Sequence, residues 1–163
     1  QLRKIVNGIR IKGFKKEKIK TQAMFLNHLN TELKVDNFSY NETELDMMSR
    51  INDYRTSVGL NALEPINHIS FKSEEHNDYM IANDVVGHYF FESRSNNIKQ
   101  VLGAVRVSEN LAYNYNTNNA ALNAWLNSEG HKENIEGDYT HFGGAIKIDE
   151  EGKKYYTNIF IKK

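Results

Sequence analysis

Two histidines and one glutamate stand out because each lies in a short segment rich in glycine, asparagine and small residues. His88 follows a glycine, Glu109 precedes an asparagine, and His131 follows a glycine. Two neutral imidazoles form a borderline-soft ligand pair that suits Zn²⁺ or a similar divalent cation. A nearby glutamate could fix the tautomer of one imidazole, or it could act as a base toward a metal-bound water.

Other familiar kinds of site are absent from the sequence. The chain has no cysteine, which excludes disulfides, thiolate metal sites and a thiol nucleophile. It also has no His-Glu-x-x-His zinc motif, no Gly-x-Ser-x-Gly elbow and no glycine-rich phosphate loop. The formal net charge is zero, so we expect no nucleic-acid partner. No apolar run reaches the roughly 18 residues that a membrane-spanning helix needs, so we expect no transmembrane segment.

The spacing of apolar residues predicts several helices that would position these segments. Asn41 fits an N-cap, because acids follow in the first turn and an apolar stripe runs through the next three turns. Pro65 is predicted to open a second helix that ends before Gly87. Shorter helices are predicted near residues 97–102 and 118–127.

Strands are predicted later in the chain. Residues 105–115 are rich in β-branched and aromatic side chains, and residues 141–148 and 154–161 flank a turn that ends at Gly152. The last two segments therefore predict a C-terminal hairpin. Helices first, followed by strands mixed with helices, indicate a sheet covered by helices on both faces.

The first 20 residues contain eight basic residues and one acid. We interpret them as a solvated leader or basic edge segment, and the alternative is an arm for phosphate-rich surfaces such as teichoic acid, lipopolysaccharide or lipid head groups. Residues 1–40 are accordingly predicted to be a basic N-terminal extension, and residues 41–163 the folded domain. Because the chain starts with Gln1 rather than Met, we expect a processed start and consider surface anchoring through a removed N-terminal segment.

Six segments, taken together in their order and spacing, carry a family resemblance. They are Ile51–Arg55, Gly87–Phe90, Ser108–Tyr113, Ala124–Ile135, Thr140–Ala145 and Tyr155–Phe160. On these residues the chain from about Glu44 to Phe160 resembles the bacterial branch of the CAP superfamily, the cysteine-rich secretory, antigen 5 and pathogenesis-related 1 proteins.

The resemblance implies an α/β fold, namely a three-layer α/β/α sandwich with a central, mostly antiparallel sheet and an open cleft. It implies that His88, Glu109 and His131 face this cleft, with Glu129 as the candidate for a fourth cleft position. His88 and His131 would be the ligands of Zn²⁺ or another divalent cation, and we assign no other cofactor. The same residues could instead form a structural network that ties loops to the sheet.

Three functions are compatible with the resemblance. We favour a secreted or surface-attached bacterial binding module in the extracellular space or cell envelope, with a lipid, cell-envelope or protein ligand and no enzymatic activity. One alternative is a metal-dependent hydrolase acting on peptide or cell-envelope material, which would require His88, Glu109 and His131 together. The other is a structural envelope protein whose cleft residues only stabilise the fold.

His76 is predicted to be a buried, hydrogen-bonded histidine outside the site.

Overall fold

The computed structural model describes residues 33–163, so the basic residues predicted to form the N-terminal arm lie outside it. The described chain contains five helices and four strands. In chain order they are α1 (Glu42–Ser57), β1 (Glu64–Pro65), α2 (Asn67–Asn83), α3 (Phe91–Leu102), β2 (Arg106–Tyr113), α4 (Asn118–Leu126), α5 (Glu129–Ile135), β3 (His141–Ile148) and β4 (Lys154–Lys162).

The four strands form one mixed sheet in the order β1-β3-β4-β2. β4 pairs with both β2 and β3 in antiparallel fashion, and the short β1 runs parallel to β3. The predicted, mostly antiparallel sheet and C-terminal hairpin are therefore confirmed, with β1 as the parallel exception.

Successive side chains of β4 point to opposite faces of the sheet, and different helices cover the two faces. Phe160 points into a cluster with Ile51 of α1 and Trp125 of α4. Ile159 points to the opposite face, where it packs in a cluster with Ile69 of α2 and residues of α3. Full burial of each such apolar side chain stabilises the fold by about 1.5–3 kcal/mol. Helices on both faces confirm the predicted three-layer sandwich.

α1 begins where its sequence predicts. The side chain of Asn41 accepts a hydrogen bond from the Glu44 backbone N–H at 2.8 Å, and Glu44 Oε2 accepts one from the Asn41 N–H at 3.0 Å. This reciprocal capping box satisfies two donors that the first helical turn would otherwise leave unpaired. The predicted stripe is buried at Met47 and Ile51.

The prediction for Pro65 is wrong. α2 begins at Asn67, and Pro65 lies in the edge strand β1 beside Phe142. The ladder is made by the residues on either side, since the N–H of Glu64 donates to Thr140 O at 3.1 Å and that of Ile66 to Phe142 O at 2.9 Å. A proline fits between them because its position on an edge strand needs no N–H donor.

Two helices differ from their predicted extents. α3 starts at Phe91 rather than near residue 97, and it ends before Gly103 as predicted, with Gly103 in the left-handed region at φ 71°. α5 was not predicted as a separate helix, because Ile135 is its one buried residue and leaves almost no apolar pattern to detect.

Among residues 33–163, no helix combines the length and apolar character needed to cross a bilayer.

Gly143 of β3 allows α2 to approach the sheet closely. A Cβ atom at this position would lie 2.5 Å from the backbone nitrogen of Ser70 and 2.7 Å from Cβ of Ile69. Neither atom belongs to a flexible side-chain end, so any larger residue would push α2 away from β3. The glycine thus sets the distance between the sheet and the helix that carries His76.

Candidate functional site

Glu109 lies at the centre of a polar cluster with His88 and Arg94. It sits in β2 opposite Ile159, and it is only 5% exposed. Arg94 of α3 donates from Nε to Glu109 Oε2 and from Nη2 to Glu109 Oε1, both at 2.8 Å. Burial raises the pKa of Glu109, but the hydrogen bond from His88 and the charge of Arg94 outweigh it and lower the pKa below its ordinary value. The carboxylate is therefore held ionised.

His88 lies in the turn before α3 and reaches back to the same carboxylate. Its Nδ1 is 2.9 Å from Glu109 Oε1, and because an ionised carboxylate only accepts, Nδ1 must carry the hydrogen. In the neutral ring, Nε2 is then left with its lone pair. The side chain is 52% exposed, so the ring is partly open to solvent. The glutamate fixes the tautomer, as one of the two roles considered for it requires.

Arg94 also holds the turn that carries His88. Its Nη1 donates to the backbone oxygen of Tyr89 at 2.9 Å. The next residue, Phe90, adopts φ 58°, a left-handed conformation that bulky residues rarely adopt. Tyr89 and Phe90 are nevertheless 49% and 52% exposed, and Tyr79 packs against both rings. A strained turn thus presents two aromatic side chains beside His88.

His76 of α2 lies next to this cluster. It is buried, and its Nε2 donates to Gly87 O at 2.9 Å, as the prediction of a satisfied histidine requires. The same nitrogen lies 4.0 Å from Glu109 Oε1, a proximity the sequence did not indicate. Burial, assisted by the charge of Arg94, lowers the pKa of His76 to about 4. The ring is therefore neutral at pH 7.

His131 is placed by contacts between α5 and β2. Asn110, next to Glu109, donates from Nδ2 to the backbone oxygen of His131 at 3.0 Å. Asn134 donates to Asn110 Oδ1 at 2.9 Å. The His131 ring lies with Nδ1 2.8 Å from the hydroxyl of Ser128, and burial together with the charge of His88 lowers its pKa. The His131 ring is thus mostly neutral at pH 7.

The four predicted site residues are brought together unequally. His88 and Glu109 are in direct contact, whereas the ring of His131 contacts Ser128. Glu129 is exposed at the start of α5, and within residues 33–163 it has no hydrogen bond or ion pair with the other three.

The donor set limits what metal the site could hold. Within the described residues, no group of three or more His, Cys, Asp or Glu side chains is arranged to hold a metal ion. Glu109 is already engaged by Arg94 and His88, which leaves Nε2 of His88 and the ring of His131 as candidate ligands. A cation bound by two imidazoles would depend on water for its remaining ligands. Metal binding by His88 and His131 stays a prediction.

Arg94 is the member of this cluster that the sequence did not reveal. A single arginine in a helix of mostly polar residues is typical of a surface position, and Arg94 belongs to no recognisable sequence motif. The one available signal is the burial of Glu109, since a buried carboxylate requires a cationic or hydrogen-bonding partner. That requirement predicts a partner but does not identify it.

Comparison with known proteins places these features in a family. The sequence model of the cysteine-rich secretory protein family (CAP) matches residues 48–160. An outer surface protein of Borrelia burgdorferi superposes with a TM-score of 0.70 at 24% identity, covering 80% of this chain and 99% of that one. An extracellular SCP-domain protein of Bacillus anthracis gives 0.64 at 22% identity, over 78% of this chain and 45% of that one.

Two further relatives are longer than the matched region. A cysteine-rich secretory protein of Staphylococcus aureus superposes with a TM-score of 0.62 at 20% identity, covering 78% of this chain and 42% of that one. The uncharacterized membrane protein YlbC of Bacillus subtilis is 48% identical over 59 residues, which is 36% of this chain and 16% of YlbC. The solved structures share the fold with this chain, and the match to YlbC is confined to a small part of that protein.

Proposed function

This chain belongs to the cysteine-rich secretory protein (CAP) family, and we propose that it is a secreted or surface-attached bacterial binding module rather than an enzyme. Two solved structures that share its fold are an outer surface protein and an extracellular protein. These names support a location outside the cytoplasm or in the cell envelope. The contacts of Glu109 support binding over catalysis.

The observation that carries the proposal is the double engagement of Glu109. A general base works best when its pKa lies near the operating pH. Arg94 occupies both carboxylate oxygens of Glu109, His88 donates to one of them, and the pKa is held below its ordinary value. Such a carboxylate is a weak proton acceptor, and its geometry orients His88 instead.

The accessible groups of the site suit recognition of a ligand. Nε2 of His88 offers a hydrogen-bond acceptor, and the rings of Tyr89 and Phe90 offer apolar and aromatic surface beside it. The ligand classes that fit are lipid, cell-envelope material and protein. If a divalent cation such as Zn²⁺ binds, His88 and His131 would hold it, and it would supply Lewis acidity at the ligand.

The first experiment measures binding and turnover on the same envelope material. Wild-type protein is incubated with purified peptidoglycan sacculi and, separately, with phosphatidylglycerol vesicles, each with and without Zn²⁺. We expect co-sedimentation with one of them and no release of soluble fragments. The variant Phe90→Asn should lose the binding, because asparagine tolerates the left-handed turn but lacks the ring. Val58→Asn, which removes an exposed apolar residue at the end of α1, is the matched control.

Catalysis has its own outcome in this experiment. Zn²⁺-dependent release of fragments that disappears in Glu109→Gln would overturn the proposal in favour of a hydrolase. Calorimetric titration of Zn²⁺ into wild-type protein and His88→Ala/His131→Ala tests the metal separately. Binding lost in the double variant would support the two-histidine site, and equal heats would remove it.

A further inference from the structure

Asn158 occupies an unusual position in the centre of the sheet. It lies in β4, is 2% exposed, and pairs in register with Asn110 of β2 and Gly144 of β3. The side chain of Asn110 is satisfied by α5, but neither Oδ1 nor Nδ2 of Asn158 has a hydrogen-bond partner among the described residues. Each buried polar atom left unpaired costs about 1–3 kcal/mol. The carboxamide therefore requires a partner.

Gly144 leaves room beside that carboxamide. A Cβ atom on Gly144 would lie 2.6 Å from Asn158 Oδ1, so any other residue would displace the amide. Both residues line a cavity of about 10 Å³ between the sheet, α1 and α4. Its walls include Met47, Met48 and Trp125, which are all buried. A cavity of this size holds about one water molecule.

Glu44 brings a charge to the same cavity. It is 4% exposed, and within the described part of the chain no cationic side chain forms an ion pair with it. Its Oε1 accepts from the Ile146 N–H at 2.9 Å and its Oε2 from the Asn41 N–H at 3.0 Å. Each oxygen of a carboxylate has a second lone pair, so Glu44 can accept further donors. A buried charge gains from every such bond.

We propose that one resident water molecule bridges Glu44 and Asn158 inside this cavity. It donates one hydrogen to the Glu44 carboxylate and the other to Asn158 Oδ1, and it accepts from Asn158 Nδ2. Three hydrogen bonds are the usual number for a buried water. The arrangement satisfies both orphaned atoms of Asn158 at once.

The bridging water explains why the second residue of the Gly143-Gly144 pair is also a glycine. Gly143 opens one face of β3 to α2, and Gly144 opens the other face to the hydrated carboxamide. The water ties the capped N-terminus of α1 to the central strand β4. It is a structural ligand in a site separate from Glu109, whose register partner Ile159 packs on the other face of the sheet.

The test counts long-lived water by ²H and ¹⁷O magnetic relaxation dispersion. Asn158→Leu keeps the side-chain size but removes both polar partners, and Asn127→Leu is the exposed control. We expect the dispersion amplitude to fall by the equivalent of one water molecule in Asn158→Leu and to stay unchanged in Asn127→Leu. Equal amplitudes in wild type and Asn158→Leu would overturn the proposal.

A measurement on the wild-type protein covers the case in which Asn158→Leu does not fold. A high-resolution crystal structure should show one water within hydrogen-bond distance of Asn158 Nδ2 and the Glu44 carboxylate. Direct contact between the carboxamide and the carboxylate, or a metal cation in place of the water, would overturn the assignment.

Discussion

The guanidinium of Arg94 contacts both carboxylate oxygens of Glu109 in the protein interior, at 2.8 Å from Nε to Oε2 and from Nη2 to Oε1. This two-pronged geometry matches the planar fork of the guanidinium to the planar carboxylate. Because the third nitrogen, Nη1, donates to Tyr89 O, the same side chain holds α3, β2 and the turn of His88 together. One side chain therefore links three parts of the fold and shapes the site.

Replacing Arg94 with leucine should destabilise the protein by about 3–5 kcal/mol, because it leaves a buried carboxylate without its cation. Urea denaturation at pH 7 measures the loss. The double variant Arg94→Leu/Glu109→Leu should recover most of it, since no charge then remains buried. A double variant as unstable as Arg94→Leu would show that the lost contacts, rather than the stranded charge, dominate.

Stability should fall as the pH drops from 6.5 toward 4. The pKa of His76 is about 4 in the folded protein and 6.5 ordinarily, so between these values the unfolded chain binds the additional proton. At about 1.4 kcal/mol per pKa unit, the lowered pKa of His76 removes about 3 kcal/mol from the free energy of unfolding once the ring is fully protonated. The lowered pKa of Glu109 acts in the same direction below its own ordinary value.

The variant His76→Gln tests this assignment, because glutamine can donate to Gly87 O but does not titrate. Its free energy of unfolding should depend less steeply on pH between 4 and 6.5 than that of wild type. An NMR titration of the His76 ring gives the independent measurement. A midpoint near 6.5 in the folded protein would contradict the expected effect.

The sequence was informative wherever a local pattern determines the structure. Asn41 and the acids after it predict the start of α1, and the periodic apolar residues predict the buried positions Met47 and Ile51 of that helix. The hairpin of β3 and β4 follows from β-branched segments around one turn. The pairing of Pro65 with β3 depends on residues far along the chain, so propensity alone placed it in the wrong element.

The site was predictable only in part, for the same reason. The resemblance led to His88 and Glu109, whose contact the structure shows. Arg94 escaped notice because a single arginine on a polar helix gives no sign of the buried carboxylate it will meet. The packing of α3 against β2, a tertiary event, creates that pair.

Arg55 should be far less replaceable than its neighbour Arg50 on the same helix. Arg55 is fully buried, and its guanidinium donates to carbonyl oxygens of Asn61, Ile135 and Gly137. Lysine keeps the charge but lacks the fork of donors, so Arg55→Lys leaves carbonyls without their donor, at about 1–3 kcal/mol for a buried one such as Ile135 O.

The matched control is Arg50→Lys, because the pair of Arg50 with Asp46 is exposed to solvent and contributes little to stability. Urea denaturation of both variants decides the matter. Similar losses of stability would mean that the carbonyl contacts of Arg55 contribute little beyond burial of its side chain.

Asn110 should determine how firmly α5, and with it His131, is held against β2. Asn110→Leu removes the bond to His131 O and the bond from Asn134 at an expected cost of about 1–3 kcal/mol. Because both bonds reach α5, hydrogen exchange should accelerate over residues 129–135 more than in α2. The exposed variant Asn127→Ala should leave that region unchanged. Uniform acceleration throughout the domain would instead make Asn110 a residue of the general core, and His131 would owe its position to other contacts.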